Sequence, residues 1–322
     1  MDRNHWDGNN CTEVKRMENQ VNYDQKEVAI VFHENESQAV LNGLKCIQAD
    51  QDITEEDVVV LTPNWVNNQK KDPAEGVVVG PETLRTLIQW VKRRNPRRII
   101  VATGSGGGNT PQVMKDCGFE KVILEEQVEF LDFNQGPYME LQLNHHKPNK
   151  IKVNQIIQEM TYYISFTQLK IHEEATMSAS IKNMAMAWPS TEEHGAPKKN
   201  LGIHDDLHGF IAAMAEKIKI NLAIVSANPV MVATGPTNGI TKHTGLILCG
   251  KNPIAVDCIG ARLLGFLEQG IGYLHILKNK GFVGTDIEDI RMKCLSLTDA
   301  QRIFTQKVYD EAIVIDKNLD ES

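Results

Sequence analysis

A short basic and polar segment of the chain holds the side chains best suited to chemistry. Lys170 and Lys182 flank His172, and Ser180 and Asn183 lie in the same segment. Lysine ammonium groups bind carboxylate or phosphate as point charges, and a histidine with a pKa near neutrality transfers protons. We therefore predict a cleft that binds or acts on a small anionic molecule. His172 and Lys182 are its predicted catalytic residues, and the other three are predicted to bind the ligand.

The lysine pair has an alternative interpretation as a structural anchor to Asp257 and nearby carbonyl groups. Asp257 lies in the almost wholly apolar, helix-like run 252–265. A buried carboxylate of this kind needs a partner, either a lysine or a backbone cap. A structural role is the first interpretation of Asp257, and it is also kept among the candidate ligand-binding residues.

A glycine-rich loop, 103–111, follows the third predicted strand and contains the candidate ligand-binding residues Gly104, Gly106 and Gly107. Glycines at a strand-to-helix turn let backbone N–H groups approach an anion. A tight turn, a dinucleotide site and a site for another anion are the alternatives. The third glycine of a Gly-x-Gly-x-x-Gly fingerprint would fall on Asn109, which disfavours a dinucleotide.

His204 and His208 are four residues apart near a predicted helix start, where they would share a face as paired metal ligands often do. The alternative is a polar helix start with acidic residues in its first turn. Spacing alone identifies no third ligand. A metal-dependent enzyme of the racemase or isomerase kind, using His172 with this pair, is the second hypothesis. A non-catalytic interaction protein, with an apolar patch and no lined pocket, is the third.

Composition limits the partners. The net charge of −8 over 322 residues argues against nucleic acid and anionic membranes as partners. No apolar run approaches the roughly 20 residues that span a bilayer, and the first residues lack the apolar core of a signal peptide. The six scattered cysteines form no Cys-x-x-Cys pair. We therefore expect no iron–sulfur cluster and a reduced, cytoplasmic protein. A divalent metal and a homo-oligomer stay open.

Apolar runs that alternate with helix-like segments predict an α/β fold: a layered, mostly parallel or mixed sheet with helices on both faces. Residues 1–25 are predicted to be a mobile polar tail. Residues 26–322 are predicted to form a single α/β domain, with two lobes around a cleft as an alternative. Asn64, directly after the second strand, is a further candidate ligand-binding residue, and the long loop 189–202 is a candidate lid.

Several segments together resemble the bacterial and archaeal family catalogued as domain of unknown function 362. They span roughly residues 57 to 290 and are Thr62-Pro63-Asn64, the Gly104–Gly108 loop, Lys170-x-His172, Ser180-Ile181-Lys182-Asn183, Gly235-Pro236-x-x-Gly239 and Asn252-Pro253-Ile254-Ala255-Val256-Asp257. Many members carry a ferredoxin-like cysteine cluster that this chain lacks, so the resemblance implies no direct electron transfer. Ser226 stands where the family usually has an acidic residue.

The order of elements is also similar, more loosely, to the amino-terminal half of nickel-pincer lactate racemases. In those enzymes a lysine is bonded to a nickel-bearing pyridinium cofactor and histidines move protons. The resemblance implies that Lys182 and His172 are the nearest counterparts in this chain. The glycine-rich approach to the lysine is missing from it, so the likeness is one of layout.

Overall fold

The structure is a computed structural model and describes residues 21–315. Its strands are β1 Glu27–Phe32, β2 Val58–Pro63, β3 Arg98–Thr103, β4 Glu129–Asp132, β5 Tyr138–Gln142, β6 Lys150–Asn154, β7 Tyr162–His172, β8 Thr176–Ser178, β9 Leu222–Val232, β10 Ile240–Lys242, β11 Leu246–Gly250 and β12 Arg291–Cys294. Its α-helices are α1 Glu36–Cys46, α2 Pro81–Lys92, α3 Thr110–Asp116, α4 Phe119–Glu125, α5 Ser180–Ala187, α6 Thr191–His194, α7 Leu207–Ala215, α8 Pro253–Leu263, α9 Gly272–Asn279 and α10 Leu297–Tyr309. Short 3₁₀ turns occupy Ala49–Gln51, Pro73–Glu75, Gln155–Gln158, Asn200–Gly202, Glu268–Gly270 and Ile287–Asp289.

Apart from the β5–β6 hairpin, the described strands form one mixed sheet. Its order is β12-β1-β11-β9-β7-β2-β3-β4, with β8 beside β7 and β10 beside β9. The pairs from β9 through β7, β2 and β3 to β4 are parallel, whereas β11 runs antiparallel to both β1 and β9. The predicted α/β class, with a mostly parallel or mixed sheet, is therefore confirmed.

Apolar side chains fill both faces of this sheet. In β1, Val28 and Ile30 belong to the core that contains α5, α7, α8, α9 and α10, whereas Ala29 and Val31 belong to the core that contains α1, α2, α3 and α4. Successive side chains of a strand point to opposite faces, so a strand buried on both sides reads as a continuous apolar run. This explains why most of these strands can be predicted from the sequence.

The apolar triplet Val122-Ile123-Leu124 favours a strand by composition but lies in α4. Phe119, Val122 and Ile123 are buried, whereas Leu124 is 69% exposed. Burial at positions one, four and five of the element is the spacing of one helical face. Composition alone would wrongly assign this segment to a strand, because a short apolar run does not by itself show its period.

Part of the predicted amino-terminal tail, 1–25, lies within the described residues. Residues 1–20 of the predicted tail lie outside the described residues. Tyr23 is buried, and its hydroxyl accepts a hydrogen bond from the Ile220 N–H at 3.1 Å. The packed chain therefore begins before residue 26.

Two cysteines depart from the expected reduced state. Cys46, at the end of α1, is bonded to Cys294 at the end of β12, whereas Cys117, Cys249 and Cys258 are free and buried. Sequence spacing could not reveal the pair, because 248 positions separate its members. None of the helices in residues 21–315 is both long and apolar enough to cross a membrane.

The buried carboxylate of Asp257 joins three helices. One of its oxygens accepts hydrogen bonds from the Ser180 N–H (2.9 Å) and hydroxyl (2.6 Å), and the other accepts from the Ile181 N–H (3.1 Å) and the Tyr273 hydroxyl (2.8 Å). Ala179, the residue before α5, has no side chain that could cap the helix. Asp257 of α8 therefore supplies the amino-terminal cap of α5 and also holds α9. Burial raises the pKa of this carboxyl to about 6.

We predict that Asp257→Asn destabilises the protein by roughly 1–3 kcal/mol, because the new amide nitrogen would face two donor groups and leave both without an acceptor. The free energy of unfolding in urea measures the effect. Tyr273→Phe is the matched control, since it removes a single donor and leaves the helix cap intact, and it should cost less. An Asp257→Asn protein as stable as the unaltered protein would contradict the capping role.

Candidate functional site

A cavity of about 270 Å³ opens at the carboxyl-terminal edge of the parallel strands. Its walls come from the segments after β2 and β3, the end of β7, the start of α5 and the loop before α7. Ligands of open α/β sheets bind at this edge. The predicted site residues found in its lining are Asn64, Gly104, Gly106, Gly107, Lys170, His172, Lys182, Asn183 and His204.

Lys182, in the first turn of α5, presents an unpaired ammonium group to this cavity. It forms no hydrogen bond and no ion pair within residues 21–315. Burial lowers the pKa of Lys182 to about 8, and the charge of Glu174 opposes that shift. A desolvated cation without a protein partner is costly unless a ligand or water satisfies it. Lys182 is therefore the strongest candidate for a ligand contact.

Lys170, near the end of β7, has a partner in the protein. Its buried Nζ donates a hydrogen bond to the Val77 carbonyl at 2.6 Å, and the Asn64 amide nitrogen donates to the same oxygen at 3.1 Å. Burial, and then the charge of Lys182, lower the pKa of Lys170 to about 7. The structural-anchor interpretation thus applies to Lys170, with a carbonyl as the partner rather than Asp257.

His172 is held as a neutral imidazole. Its Nδ1 accepts hydrogen bonds from the N–H groups of Glu174 and Ala175, both at 3.1 Å. Burial, and then the charges of Lys182 and Lys170, lower the pKa of His172 to about 2. With Nδ1 as an acceptor, the ring hydrogen is assigned to Nε2.

The expected acid–base role of His172 requires a pKa near neutrality, and this environment does not provide one. The racemase resemblance implies that His172 moves protons, and that role needs the same pKa near neutrality. The Nε2–H has no acceptor among the described residues. We therefore interpret His172 as a fixed hydrogen-bond donor at the cavity wall.

Lys198 is a cavity residue that sequence reasoning missed. Its buried ammonium donates to the carbonyls of Gly104 (2.9 Å), Met186 (2.9 Å) and Ala187 (3.1 Å). Burial lowers the pKa of Lys198 to about 7. Cations near a helix carboxyl terminus stabilise its free carbonyls. Lys198 therefore fastens the loop 189–202 to the glycine loop and to the end of α5, and no sequence pattern marks that role.

The glycine loop packs more tightly than an anion-binding loop requires. A side chain on Gly104 would place its Cβ 2.5 Å from the Ala187 carbonyl oxygen, so glycine is needed for close approach to α5. The Ser105 N–H donates to the Thr110 hydroxyl and the Gly107 N–H to the Val66 carbonyl. Two amides of the loop are thus already bonded, which favours the tight-turn alternative.

Asn64 and Asn183, the two predicted amide residues, form hydrogen bonds within the cavity wall. Asn183 donates from Nδ2 to the Thr62 carbonyl (3.0 Å) and the Ser165 hydroxyl (3.1 Å), which ties α5 to β2 and β7. Its Oδ1 has no partner among the described residues. The buried Oδ1 of Asn64 also lacks a hydrogen bond there.

Ser180 and Asp257, two predicted ligand-binding residues, are not part of the cavity lining. Both are completely buried, and they bond to each other behind the wall as part of the α5 cap. Their position makes the structural interpretation the better one. The hydroxyl that does reach the cavity in this region is that of Ser178, which the sequence did not single out.

His204 and His208 do not share a helical face, because α7 begins at Leu207 and leaves His204 in the preceding turn. His204 lines the cavity, with Nδ1 2.8 Å from a Glu174 carboxylate oxygen. The His208 ring stacks on Tyr273, with centroids 6.3 Å apart. Within residues 21–315, no group of three or more His, Cys, Asp or Glu side chains is arranged to hold a metal ion.

The Lys199–Glu174 ion pair at the cavity wall was not predicted from the sequence. Lys199 donates to Glu174 at 2.9 Å, and this contact, the largest of several causes, lowers the pKa of the Glu174 carboxyl. Glu173 and Glu174 are the acidic residues of the lining, and they follow His172 directly. The cavity thus contains both signs of charge, with more lysines than carboxylates.

A family profile described as "Domain of unknown function (DUF362)" matches residues 59–262, which is more than half of the chain. The chain belongs to the DUF362 family. The predicted resemblance is therefore confirmed, and the matched region of this DUF362 protein contains Lys170, His172 and Lys182. No curated protein is a significant match to the chain.

Among solved structures, this DUF362 chain is similar to the lactate racemase apoprotein from Thermoanaerobacterium thermosaccharolyticum, at 18% identity and a TM-score of 0.38. The similarity covers 65% of this chain and 51% of that chain, about half of the racemase structure. This agrees with the predicted likeness in layout. At this level of similarity it carries no conclusion about activity.

The neighbouring residues Lys198 and Lys199 give a matched test of the lysine clamp. Lys198→Met should destabilise the protein by roughly 1–3 kcal/mol, because three carbonyls lose their buried donor. Lys199→Met removes an exposed ion pair and should change stability by less than about 1 kcal/mol. Urea denaturation of both variants measures the difference. Equal stabilities would show that Lys198 does not fasten the cavity wall.

Proposed function

We propose that the cavity of this DUF362 protein binds a small anionic molecule through the Lys182 ammonium and the His172 Nε2–H. The observation that carries the proposal is the unpaired ammonium of Lys182 at the wall of an otherwise well-bonded cavity. A carboxylate or phosphate oxygen would satisfy both donors at once. Charge-assisted hydrogen bonds of this kind are among the strongest in proteins.

The balance of charge in the lining supports an anionic ligand. Lys170, Lys182, Lys198 and Lys199 line the cavity with two glutamates. Lys199 is neutralised by Glu174, and Lys170 and Lys198 donate to neutral carbonyls. Positive charge is therefore left over in a poorly solvated space, where its attraction for an anion is stronger than in water.

The size and polarity of the cavity support a metabolite-sized ligand. Its volume of about 270 Å³ is small for a ligand pocket. Thr103 and Ser178 contribute hydroxyl-bearing side chains to the lining, and the Oδ1 of Asn183 has no hydrogen bond among the described residues. Such a set can orient the polar groups of a small hydroxy or oxo acid while Lys182 binds its charge.

No specific observation favours the two other hypotheses, a metal-dependent enzyme and a non-catalytic interaction protein. A metal-dependent enzyme would need His204 and His208 near a third ligand, and the described residues do not bring such a set together. A non-catalytic interaction protein predicts the absence of a lined pocket, whereas this chain has a cavity. Anion binding is therefore the function we propose.

We expect Lys182→Met to weaken binding of oxalate, a small dianion, on the order of 10- to 100-fold, the range that corresponds to the loss of one charge-assisted hydrogen bond. Isothermal titration calorimetry of the full chain measures the change. Lys182→Arg, which keeps the charge, should bind oxalate within a few-fold of the unaltered protein.

Lys121→Met is the matched control for general charge removal, because its side chain is 75% exposed on α4, outside the cavity lining. Oxalate, inorganic phosphate and lactate together represent dicarboxylate, phosphate and hydroxy-acid ligands. Failure of all three to bind, or equal binding to the Lys182→Met and Lys121→Met proteins, would overturn the proposed function.

A further inference from the structure

The lysines of the cavity differ in what their nitrogen atoms can still do. Lys198 directs all three donors at carbonyls, Lys170 is hydrogen-bonded to Val77, and Lys199 is paired with Glu174. Lys182 has no such contact within the described residues. Its nitrogen is therefore free both to bind a ligand and, when deprotonated, to attack one.

The surroundings of Lys182 favour a reactive amine. A lysine is nucleophilic only in its neutral form, and a desolvated site favours that form. Burial lowers the pKa of Lys182 to about 8, so a substantial minority of the amine is neutral near pH 7.5. A lysine in water, with a pKa of roughly 10.4, would be almost entirely protonated there.

The other donors of the wall favour a ligand with an acid group next to the reacting centre. His172 presents a fixed Nε2–H, and Lys170 keeps at least one N–H after its bond to Val77. The charges of Lys182 and Lys170 both lower the pKa of His172. A carboxylate at these donors would hold the adjacent carbon inside the cavity, whose lining includes Lys182.

We propose that Lys182 forms an imine with the carbonyl carbon of a small 2-oxo acid bound in this cavity. The inference rests on the anion-binding function proposed above and names the substrate class. A 2-oxo acid combines the carboxylate that the donors require with an electrophilic carbonyl next to it. A 2-hydroxy acid of the same shape could bind but could not react.

The step balances without any added reagent. The Nζ lone pair forms a bond to the carbonyl carbon, and the carbonyl electron pair moves to oxygen, giving a carbinolamine. That oxygen then leaves as water with the two hydrogens of the amine, and a carbon–nitrogen double bond remains. The imine nitrogen can take up a proton, and the Glu174 carboxylate, whose charge already acts on Lys182, stabilises the resulting cation.

Trapping with borohydride tests this inference. The full chain is incubated with pyruvate as the probe, sodium borohydride is added, and intact mass and peptide mapping are recorded. We expect a gain of one carboxyethyl group on the peptide that contains Lys182. Hydride from the reagent reduces the imine to a stable secondary amine, so an adduct marks imine formation.

Two variants separate covalent chemistry from binding. Lys182→Arg keeps the positive charge but cannot form an imine, so it should bind pyruvate and lactate and give no adduct. Lys182→Met should lose both binding and the adduct. Labelling that persists in the Lys182→Arg protein, or that falls equally on the exposed Lys121, would overturn the inference, because the reaction would not belong to Lys182.

Calorimetry with lactate distinguishes the two possible failures. If lactate binds in a Lys182-dependent way but pyruvate leaves no adduct after reduction, the imine inference is wrong and anion binding stands. If neither acid binds but oxalate or phosphate does, the 2-oxo acid inference fails alone. If none of these anions binds, the proposed function fails with it.

Discussion

The hydrogen bonds that the Asp257 carboxylate accepts from the start of α5 position the helix on which the cavity depends. The carboxylate is completely buried and receives two backbone and two hydroxyl donors, three of them from Ser180 and Ile181. A charge in that position is stable only because each oxygen is satisfied. Since Lys182 follows these two residues directly, the cap also places the unpaired ammonium at the cavity wall.

The carboxyl-terminal end of α5 is held by a cation rather than by a carboxylate. There the Lys198 ammonium bonds to the carbonyls of Met186 and Ala187 and to that of Gly104 in the glycine loop. A carboxylate at the amino terminus and a cation at the carboxyl terminus both complement the helix dipole. The helix is thus fixed at both ends, and Asn183 ties its middle to β2 and β7. Lys182 stands on a rigid element, which is what a preorganised site requires.

The fold could largely be predicted from the sequence because it depends on short-range periodicity. Strands such as β1 and β2 contain continuous apolar runs, since both faces of the sheet are covered. The exception, α4, contains an apolar triplet too short to reveal its period. The extension of β7 to His172 depends on pairing with β8, a contact that no local pattern specifies.

The position of the cavity could be predicted, but the contacts of each lysine could not. Lys170 and His172 follow an apolar strand-like run, and residues beyond the carboxyl ends of parallel strands are expected to line a ligand site. The partner of Lys170, however, is a carbonyl 93 positions away, and that of Lys198 is 94 positions away. The sequence shows identical side chains at 170, 182 and 198. Only the structure shows which two are bonded and which one is not.

The central claim is that Lys182 is a partly buried ammonium, unpaired among the described residues, that small anions can reach. Nuclear magnetic resonance titration of the lysine side chains, assigned with the Lys182→Met protein, tests it most directly. We expect a pKa of about 8 for Lys182 and a rise in that pKa when oxalate is added, because a bound anion stabilises the charged form. A pKa at the ordinary value for lysine, unchanged by oxalate, would contradict the claim.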